Sequence, residues 1–205
     1  SVAQAHGSIA TMVDDADAEA SSGSVIDHFG FAVEDVRAMV EKARIMGAQI
    51  VSGPHPGVTA SSIAMIQDPW GTKVELLESP DYTGIQHVHM VTEGAEVLRD
   101  WFLEVFGGEY DPERGHDRID AIQYDGIWVY FSESQGGATA PSRGRSLDHM
   151  GFSVADMDEV VARVEASGYA PYVIRPNRPG GTTLLMFFEG ANGVHFEIAQ
   201  AGGVQ

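Results

Sequence analysis

Apolar positions recur along the chain with two different spacings, in the same order more than once. Short apolar and β-branched runs, such as residues 29–33 and 150–154, are typical of strands, and each run is followed by an Asp suited to cap a helix. The next segments have apolar residues at i, i+3 and i+4 and end at Gly47 or Gly168, which indicates amphipathic helices. About three strands are expected after each helix. The pattern therefore predicts repeated units of one strand, one helix and three strands.

The residues repeat together with this pattern. The stretch "IDHFGFAVEDV", which starts at Ile26, matches "LDHMGFSVADM", which starts at Leu147, and "DPWGTKVELLE" matches "GANGVHFEIAQ" near the ends of the same two units. A more distant copy begins at "IQHVHMV", so His28, His87 and His149 hold the same position in their units. Repeats of this kind indicate supersecondary units that bury their apolar faces against one another.

The repeats also suggest how the chain is divided. Residues 7–13 mirror a closing strand, so we expect residues 1–23 to be the remnant closing strand of a missing unit, followed by a linker. Residues 24–80 are expected to form a single unit that lacks most of its partner. A homodimer or a missing N-terminal fragment would complete that unit. Residues 84–200 are expected to form a complete two-unit domain, and the fold class predicted is α+β.

Composition narrows the possible partners. The formal net charge of −18 disfavours nucleic acids and anionic membrane surfaces, since proteins that bind them usually carry clustered Lys and Arg. No apolar run approaches the roughly 20 residues that span a bilayer, so we expect a soluble protein. The small residues of "SVAQA" give a weak indication of export, and the compartment stays undetermined between cytoplasmic and exported. Because the chain has no Cys, any metal must be held by nitrogen and oxygen ligands.

The repeated histidine and two acidic residues are the candidates for metal chemistry. Glu75 and Glu197 interrupt apolar closing strands, where a carboxylate is costly unless it is paired or bound to a cation. We interpret His87, His149 and Glu197 as the ligands of a divalent metal ion, with an internal His–Glu hydrogen-bond network as the alternative. Two imidazoles and one carboxylate leave open positions on the metal for substrate or water.

Three stretches of the chain resemble a known family. "GSVIDHFGFAVED", "QDPWGTKVELLE" and "GRSLDHMGFSVAD" are similar to the vicinal oxygen chelate superfamily, which includes glyoxalase I, extradiol dioxygenases and bleomycin-resistance proteins. The resemblance implies paired βαβββ modules that form curled, barrel-like mixed sheets around a central cleft. It also implies metal ligands from the first and last strands of a module pair. Those positions are His87, Tyr130, His149 and Glu197, which makes residues 84–200 the metal-binding domain.

Two further residues are candidates for catalysis. Tyr130 stands where many family members have a carboxylate, so the set here resembles the family's three-ligand sites, and Tyr130 becomes a candidate for assisting proton movement. The alternative is that Tyr130 is part of an aromatic wall beside Trp128. His195 lies on the same strand face as Glu197 and is a candidate acid, base or supporting group. Its alternative is an ordinary surface or core histidine.

The incomplete unit carries part of the same pattern. His28 and Glu75 repeat the histidine and the carboxylate, but the strand that would bring a second imidazole is not expected in this chain. We therefore expect no metal at His28 and Glu75 in the isolated chain.

These observations predict a divalent-metal-dependent enzyme of the glyoxalase or dioxygenase type. Its substrate would be a small molecule that chelates the metal through adjacent oxygens, and the reaction would be that of a lyase, an isomerase or a dioxygenase. The metal is expected to be Fe, Mn, Zn or Ni. The alternative is a non-catalytic protein that sequesters a small molecule, as bleomycin-resistance proteins do; the acidic charge would suit a cationic compound.

Four arginines could attract an acidic substrate, and they are Arg143, Arg145, Arg175 and Arg178. The other interpretation is that they are isolated surface charges.

Overall fold

The strands and helices follow one another as the repeat predicts. A computed structural model describes residues 6–10, 18–176 and 181–200. The first unit consists of β2 (Ile26–Val33), α1 (Val36–Ile45), β3 (Gln49–His55), β4 (Ile63–Gln67) and β5 (Lys73–Glu78). The second consists of β6 (Gly84–Thr92), α2 (Ala95–Phe106), β7 (Glu109–Tyr110), β8 (Asp120–Tyr124) and β9 (Ile127–Glu133). The third consists of β10 (His149–Val154), α3 (Met157–Ala166), β11 (Val173–Pro176), β12 (Leu184–Glu189) and β13 (His195–Gln200), and β1 (His6–Ala10) precedes all three.

The strands form two mixed sheets, which makes the fold α+β as predicted. The eight-stranded sheet has the order β3-β4-β5-β2-β6-β9-β8-β7, and the five-stranded sheet has the order β1-β10-β13-β12-β11. Within each unit the first strand pairs in parallel with the last strand, as β2 does with β5 and β6 with β9. The sheets are curled, but over the described residues neither closes into a barrel, because each keeps two edge strands.

The pairing of the units differs from the expected one. The first strands β2 and β6 pair antiparallel, so the first and second units share the eight-stranded sheet. The third unit lies in the five-stranded sheet, so the first strands of the second and third units are not neighbours. Connection length gives the physical reason. The short segment 79–83 favours neighbouring positions for the strands it joins, whereas the longer segment 134–148 allows the third unit to reach another sheet.

The N-terminal strand lies beside the third unit. β1 pairs antiparallel with β10, at the position that β6 occupies beside β2. The predicted closing strand over 7–13 overlaps β1, and residues 11–13 lie outside the described part of the chain. Over the described residues, the strand that lies beside β10 on this side is therefore β1.

The helices begin and end where the sequence predicts. Asp35 caps α1 by accepting a hydrogen bond from the N–H of Ala38, and Asp156 caps α3 in the same way. Gly47 and Gly168 follow the helix ends with φ of 97° and 90°, a conformation that favours glycine.

The three helices among the described residues lack the length and apolar character required to cross a membrane.

A shared apolar core holds the two sheets together. It is built from α2 and α3, from one face of β6 and β9, and from one face of β10, β12 and β13. Phe106 of α2, for example, stacks on Phe152 of β10 with ring centroids 4.4 Å apart. Because side chains alternate along a strand, the residues between the core positions of β6 and β9 point to the opposite face. That opposite face carries the polar side chains described next.

Candidate metal centre

Strand alternation places two histidines on the face of the eight-stranded sheet that is turned away from the shared core. Val88 and Met90 of β6 enter the core, so His87 faces away from it. His28 lies on the adjacent strand β2, and both side chains are almost fully buried, with relative exposures of 1% for His87 and 5% for His28. Polar rings with so little exposure need polar partners.

Glu75 of β5 lies between these two imidazoles. His28 Nε2 is 4.0 Å from one carboxylate oxygen of Glu75, and His87 Nε2 is 3.8 Å from the other. We call His28, Glu75 and His87 the His28 site. Both Nε2 atoms are buried and neither has a hydrogen-bond partner among the described residues. A buried polar atom without a partner costs about 1–3 kcal/mol, so both nitrogens are available to a ligand from outside the chain.

The other ring nitrogens orient the two imidazoles. His28 Nδ1 is 2.7 Å from a carboxylate oxygen of Asp27, and His87 Nδ1 is 2.6 Å from the side-chain oxygen of Gln86. Since these oxygens accept hydrogen bonds, each Nδ1 donates its proton and each Nε2 lone pair faces Glu75. Outer carboxylates and amides hold metal-ligating histidines in this tautomer.

The charges of the site fit a cation. Burial lowers the pKa of His87 well below its usual value, with smaller contributions from the nearby charges of His28, His89 and Arg114, so His87 is neutral at neutral pH. Burial raises the pKa of Glu75, although His28 and His55 partly oppose this shift. The carboxylate therefore lacks sufficient counter-charge. Two imidazole nitrogens and one under-compensated carboxylate form a donor set suited to a divalent metal ion.

The carboxylate that orients His28 is itself well compensated. Burial alone would raise the pKa of Asp27, but hydrogen bonds and charge interactions with His28 and Lys73 prevail and lower it to about 2. Asp27 is therefore ionised at neutral pH and can hold the Nδ1 proton of His28.

A glycine makes room for His87. A β-carbon added at Gly30 of β2 would lie 2.1 Å from Cε1 of the His87 ring. No larger residue fits there without displacing the imidazole, because real β-carbons do not approach other atoms below about 3.0 Å. The glycine of the "DHFGF" stretch is therefore part of the architecture of the His28 site.

Tyr130 adjoins the site from β9. Its ring lies 4.5 Å from that of His87 between centroids, and the residue is 1% exposed. The Tyr130 hydroxyl oxygen accepts hydrogen bonds from Arg114 Nε at 2.9 Å and from Gln86 Nε2 at 3.4 Å. Because its oxygen serves as acceptor in both contacts, the O–H proton of Tyr130 is left for a further partner.

His89 is close by but differently engaged. The ring nitrogens of His28, His87 and His89 all lie within 4.8 Å of one another, so the three form a possible metal-binding group. However, His89 Nε2 is hydrogen-bonded to Ser132 Oγ at 2.7 Å. Burial, followed by the charge of His28, also lowers the pKa of His89 well below its usual value, so His89 is neutral.

The third unit carries a second polar cluster on the five-stranded sheet. One oxygen of Asp148 accepts hydrogen bonds from His149 Nδ1 at 2.7 Å and from His195 Nδ1 at 2.9 Å. His149 Nε2 is 3.5 Å from a carboxylate oxygen of Glu197. We call Asp148, His149, His195 and Glu197 the His149 cluster. Burial alone would raise the pKa of Asp148, but the hydrogen bonds from His149 and His195 prevail and lower it well below its usual range.

Comparison with known proteins identifies the family. The model of the Glyoxalase/Bleomycin resistance protein/Dioxygenase superfamily matches residues 2–76 and 84–198. The chain belongs to this superfamily. No curated protein sequence matches it.

Solved structures of the superfamily share the fold. Glyoxalase I from Zea mays is 21% identical, with a TM-score of 0.66 over 84% of this chain and 66% of that one. A putative dioxygenase from Bacillus subtilis subsp. subtilis str. 168 is 14% identical, with a TM-score of 0.66 over 97% of this chain and 65% of that one. The chain thus spans about two thirds of the length of these structures. At these identities the similarity shows the fold of the superfamily, and the activity has to be argued from the site.

The predicted metal ligands of this chain do not all lie together in the structure. His149 and Glu197 are neighbours in the five-stranded sheet, whereas His87 lies in the eight-stranded sheet beside His28 and Glu75. β1 lies beside β10 as β6 lies beside β2. The position that corresponds to His87 in the third unit is therefore on β1. Ser8 pairs there with Gly151, as His87 pairs with Gly30. The His149 cluster therefore has one Nε2 that faces a carboxylate, where the His28 site has two.

The two predicted catalytic residues are also separated. Tyr130 adjoins the His28 site, but His195 lies in the other sheet and is 6% exposed. Both ring nitrogens of His195 are engaged, Nδ1 by Asp148 and Nε2 by the hydroxyl of Tyr172. These contacts make His195 an internal member of the His149 cluster.

Sequence reasoning missed three supporting residues. Asp27 and Gln86 directly precede the site histidines, and a polar residue before each repeated histidine was a visible signal. Arg114 comes from the irregular segment between β7 and β8, where no periodic pattern points to the site. Among the arginines that were predicted to attract an acidic substrate, Arg145 is instead ion-paired with Glu19.

Proposed function

We propose that the chain is a divalent-metal-dependent enzyme of the glyoxalase or dioxygenase type, with His28, Glu75 and His87 as the metal ligands. Its substrate is a small molecule that offers two adjacent oxygens, and its reaction is that of a lyase, an isomerase or a dioxygenase. The metal is one of the divalent ions that accept two imidazoles and a carboxylate, such as Fe, Mn, Zn or Ni.

One observation carries this proposal. Two buried Nε2 atoms without hydrogen-bond partners face the two oxygens of one carboxylate at 4.0 and 3.8 Å. Asp27 and Gln86 fix the tautomers that present these lone pairs. A hydrogen-bond network alone would not leave both nitrogens unsatisfied, whereas a bound cation would satisfy all three groups.

The surrounding side chains supply the remaining functions. When bound, a divalent ion acts as a Lewis acid and stabilises negative charge that develops on a substrate oxygen. Tyr130 is the candidate general acid, because its hydroxyl oxygen accepts hydrogen bonds from Arg114 and Gln86 while its proton remains available. The aromatic rings of Tyr130 and Trp128 form the wall of the site and exclude water from one side.

The surroundings of Trp128 argue against the sequestering alternative. A cationic compound would need the face of an aromatic ring, but the guanidinium carbon of Arg114 already lies 4.1 Å from the centre of the Trp128 ring. A second positive charge at that place would meet repulsion. The Arg114 contact thus favours a metalloenzyme over a protein that binds cationic drugs.

Metal content of matched variants tests the proposal. The parent chain, Glu75→Gln and Glu197→Gln are each equilibrated with Mn(II), Fe(II), Ni(II) or Zn(II), dialysed and examined by elemental analysis. We expect about one ion per chain in the parent and in Glu197→Gln. Glu75→Gln should bind the ion at least about 100-fold more weakly. Loss of a residue that only orients a metal ligand already weakens metal binding by up to about 100-fold.

Other outcomes have clear meanings. A parent chain that binds none of these ions contradicts the proposal, as does a loss of metal in Glu197→Gln with full retention in Glu75→Gln. Two ions per chain, one of them lost in Glu197→Gln, would assign a metal to the His149 cluster as well. The ion that binds most tightly would narrow the reaction, since iron favours oxygen chemistry and nickel or zinc favours isomerisation.

A further inference from the structure

Arg114 lies over the aromatic wall of the His28 site. Its guanidinium carbon is 4.1 Å from the centre of the Trp128 ring, and its Nε donates a hydrogen bond of 2.9 Å to the Tyr130 hydroxyl. Tyr130 in turn packs against His87 with ring centroids 4.5 Å apart. The positive charge of Arg114 is thus held one aromatic side chain away from a proposed metal ligand.

These contacts leave most donors of Arg114 unused. A guanidinium has five N–H donors in one plane, and among the described residues the one hydrogen bond from this group is that of Nε to Tyr130. The Trp128 ring, whose centre is 4.1 Å from the guanidinium carbon, offers no oxygen or nitrogen acceptor for these donors. The terminal Nη atoms of an arginine form the planar fork that binds a carboxylate or a phosphoryl group through two parallel hydrogen bonds.

Arg114 also lacks an acidic partner. In the described part of the chain, Arg44, Arg99, Arg145 and Arg163 each form an ion pair with a carboxylate, whereas no carboxylate lies within ion-pairing distance of Arg114. Other described arginines also have no ion pair, but among these Arg114 lies against Trp128 and Tyr130 beside the His28 site. An anion from outside the chain would supply the missing charge.

The segment around Arg114 is built to hold it in place. One carboxylate oxygen of Asp111 accepts hydrogen bonds from the N–H groups of Glu113 at 3.0 Å and Arg114 at 3.1 Å. At Gly115 a β-carbon would lie 1.8 Å from the carbonyl oxygen of Ile119, so only glycine fits. Such a defined turn limits the movement of the Arg114 backbone and makes the guanidinium a fixed feature of the site.

We infer that Arg114 selects a substrate that carries an acidic group beside its two adjacent oxygens. This inference rests on the proposed function, because the adjacent oxygens are those that reach the ion at the His28 site. The acidic group, a carboxylate or a phosphoryl group, pairs with the Nη fork of Arg114. Neutral molecules with the same two oxygens bind less tightly, since they leave the guanidinium without a partner.

A matched pair of compounds tests this selectivity without measuring activity. The probes are 3,4-dihydroxybenzoate and its neutral amide, 3,4-dihydroxybenzamide, which share the two adjacent oxygens and differ in charge. Their dissociation constants are measured with the Mn(II)-loaded protein by calorimetry and by water-proton relaxation. We expect the parent to bind the acid at least about tenfold more tightly than the amide, because the acid adds a charge-assisted contact with Arg114 that the amide cannot form.

Three variants separate charge from other effects. In Arg114→Gln the preference for the acid should fall to about twofold or less, with metal content and melting temperature close to those of the parent. Tyr130→Phe removes the hydrogen bond but keeps the arginine, so the preference should remain. Arg143→Gln is the matched control, because Arg143 lies over Tyr172 of the third unit, at 5.1 Å, and its loss should change nothing.

The failure of this inference is distinguishable from failure of the proposed function. If the parent binds metal but binds the acid and the amide equally, or does not bind the acid, the role of Arg114 is overturned while the metal site stands. An unchanged preference in Arg114→Gln also overturns it. If the parent binds no Mn(II), the proposed function itself fails.

Discussion

At the scale of single residues, the site depends on side chains that are small or that orient others. Gly30 leaves the space that the His87 ring fills, and Asp27 and Gln86 hold the protons on the far nitrogens of the two histidines. None of these three residues touches the proposed metal position through its own donor atoms. Their effect is to fix where the two Nε2 lone pairs point, which is a condition for tight metal binding.

Replacing Gly30 with alanine should therefore weaken metal binding. The new methyl group would lie 2.1 Å from His87 Cε1, so the imidazole must leave its present position beside Glu75. We expect at least a tenfold loss of Mn(II) affinity in Gly30→Ala, measured by calorimetry. Gly53→Ala in β3 is the control, because a β-carbon at Gly53 has no atom within 4 Å.

The steric origin of this effect can be checked separately. Adding His87→Ala to Gly30→Ala removes the ring that the methyl group strikes, so the double variant should melt at a higher temperature than Gly30→Ala alone. Equal metal affinity of Gly30→Ala and the parent would contradict the assignment.

At the scale of elements, each helix start is fixed by a carboxylate, but not always from the same place. Asp35 and Asp156 cap α1 and α3 from the residue before the helix. The corresponding residue of α2 is Gly94, which has no side chain to accept hydrogen bonds. Glu133 at the end of β9 accepts them instead, from the N–H groups of Gly94 at 3.2 Å and Ala95 at 2.8 Å. In the second unit, the residue that caps α2 is therefore distant in the chain. This cap can form only after the strands have paired.

Loss of the cap of α3 should have a measurable cost. Asp156 accepts hydrogen bonds from the N–H groups of Asp158 at 3.0 Å and Glu159 at 3.2 Å. We expect Asp156→Ala to lower the free energy of unfolding by about 1 kcal/mol, measured by urea denaturation. Asp158→Ala in the first turn removes only a weak interaction with the helix dipole and should cost a few tenths of a kcal/mol. Similar costs for the two variants would show that Asp156 is not the effective cap.

At the scale of the whole molecule, the two sheets share one apolar core, and a second, smaller core lies between α1 and the strands of the first unit. The core includes residues of α2, β6 and β9 from the second unit and of α3, β10 and β13 from the third. The polar faces of the two sheets carry the His28 site and the His149 cluster, respectively. Since the sheets share their interior, we expect them to unfold together although their polar sites are separate.

A substitution at the contact between units tests this coupling. Phe106 of α2 stacks on Phe152 of β10 at 4.4 Å, so Phe106→Ala should cost about 3–5 kcal/mol. Urea unfolding followed by circular dichroism and by tryptophan fluorescence should still show one coincident transition. Val97→Ala is the control on α2, because Val97 is 64% exposed and surface substitutions cost at most about 0.5 kcal/mol. Two separate transitions would show that the sheets are independent.

The sequence by itself determined the units, their helix caps and the residue types of the metal chemistry. These features are local, since the periodicity of apolar residues, the Asp caps and the "DHFGF" histidine can each be read within a few residues. Only the tertiary structure decided which units share a sheet. The first unit resembles the third more closely than the second, so similarity between units does not reveal that β2 pairs with β6. That pairing assigns His87 to His28 and Glu75 rather than to His149 and Glu197. It also positions Arg114, because residues far apart in the chain meet only after the strands have paired.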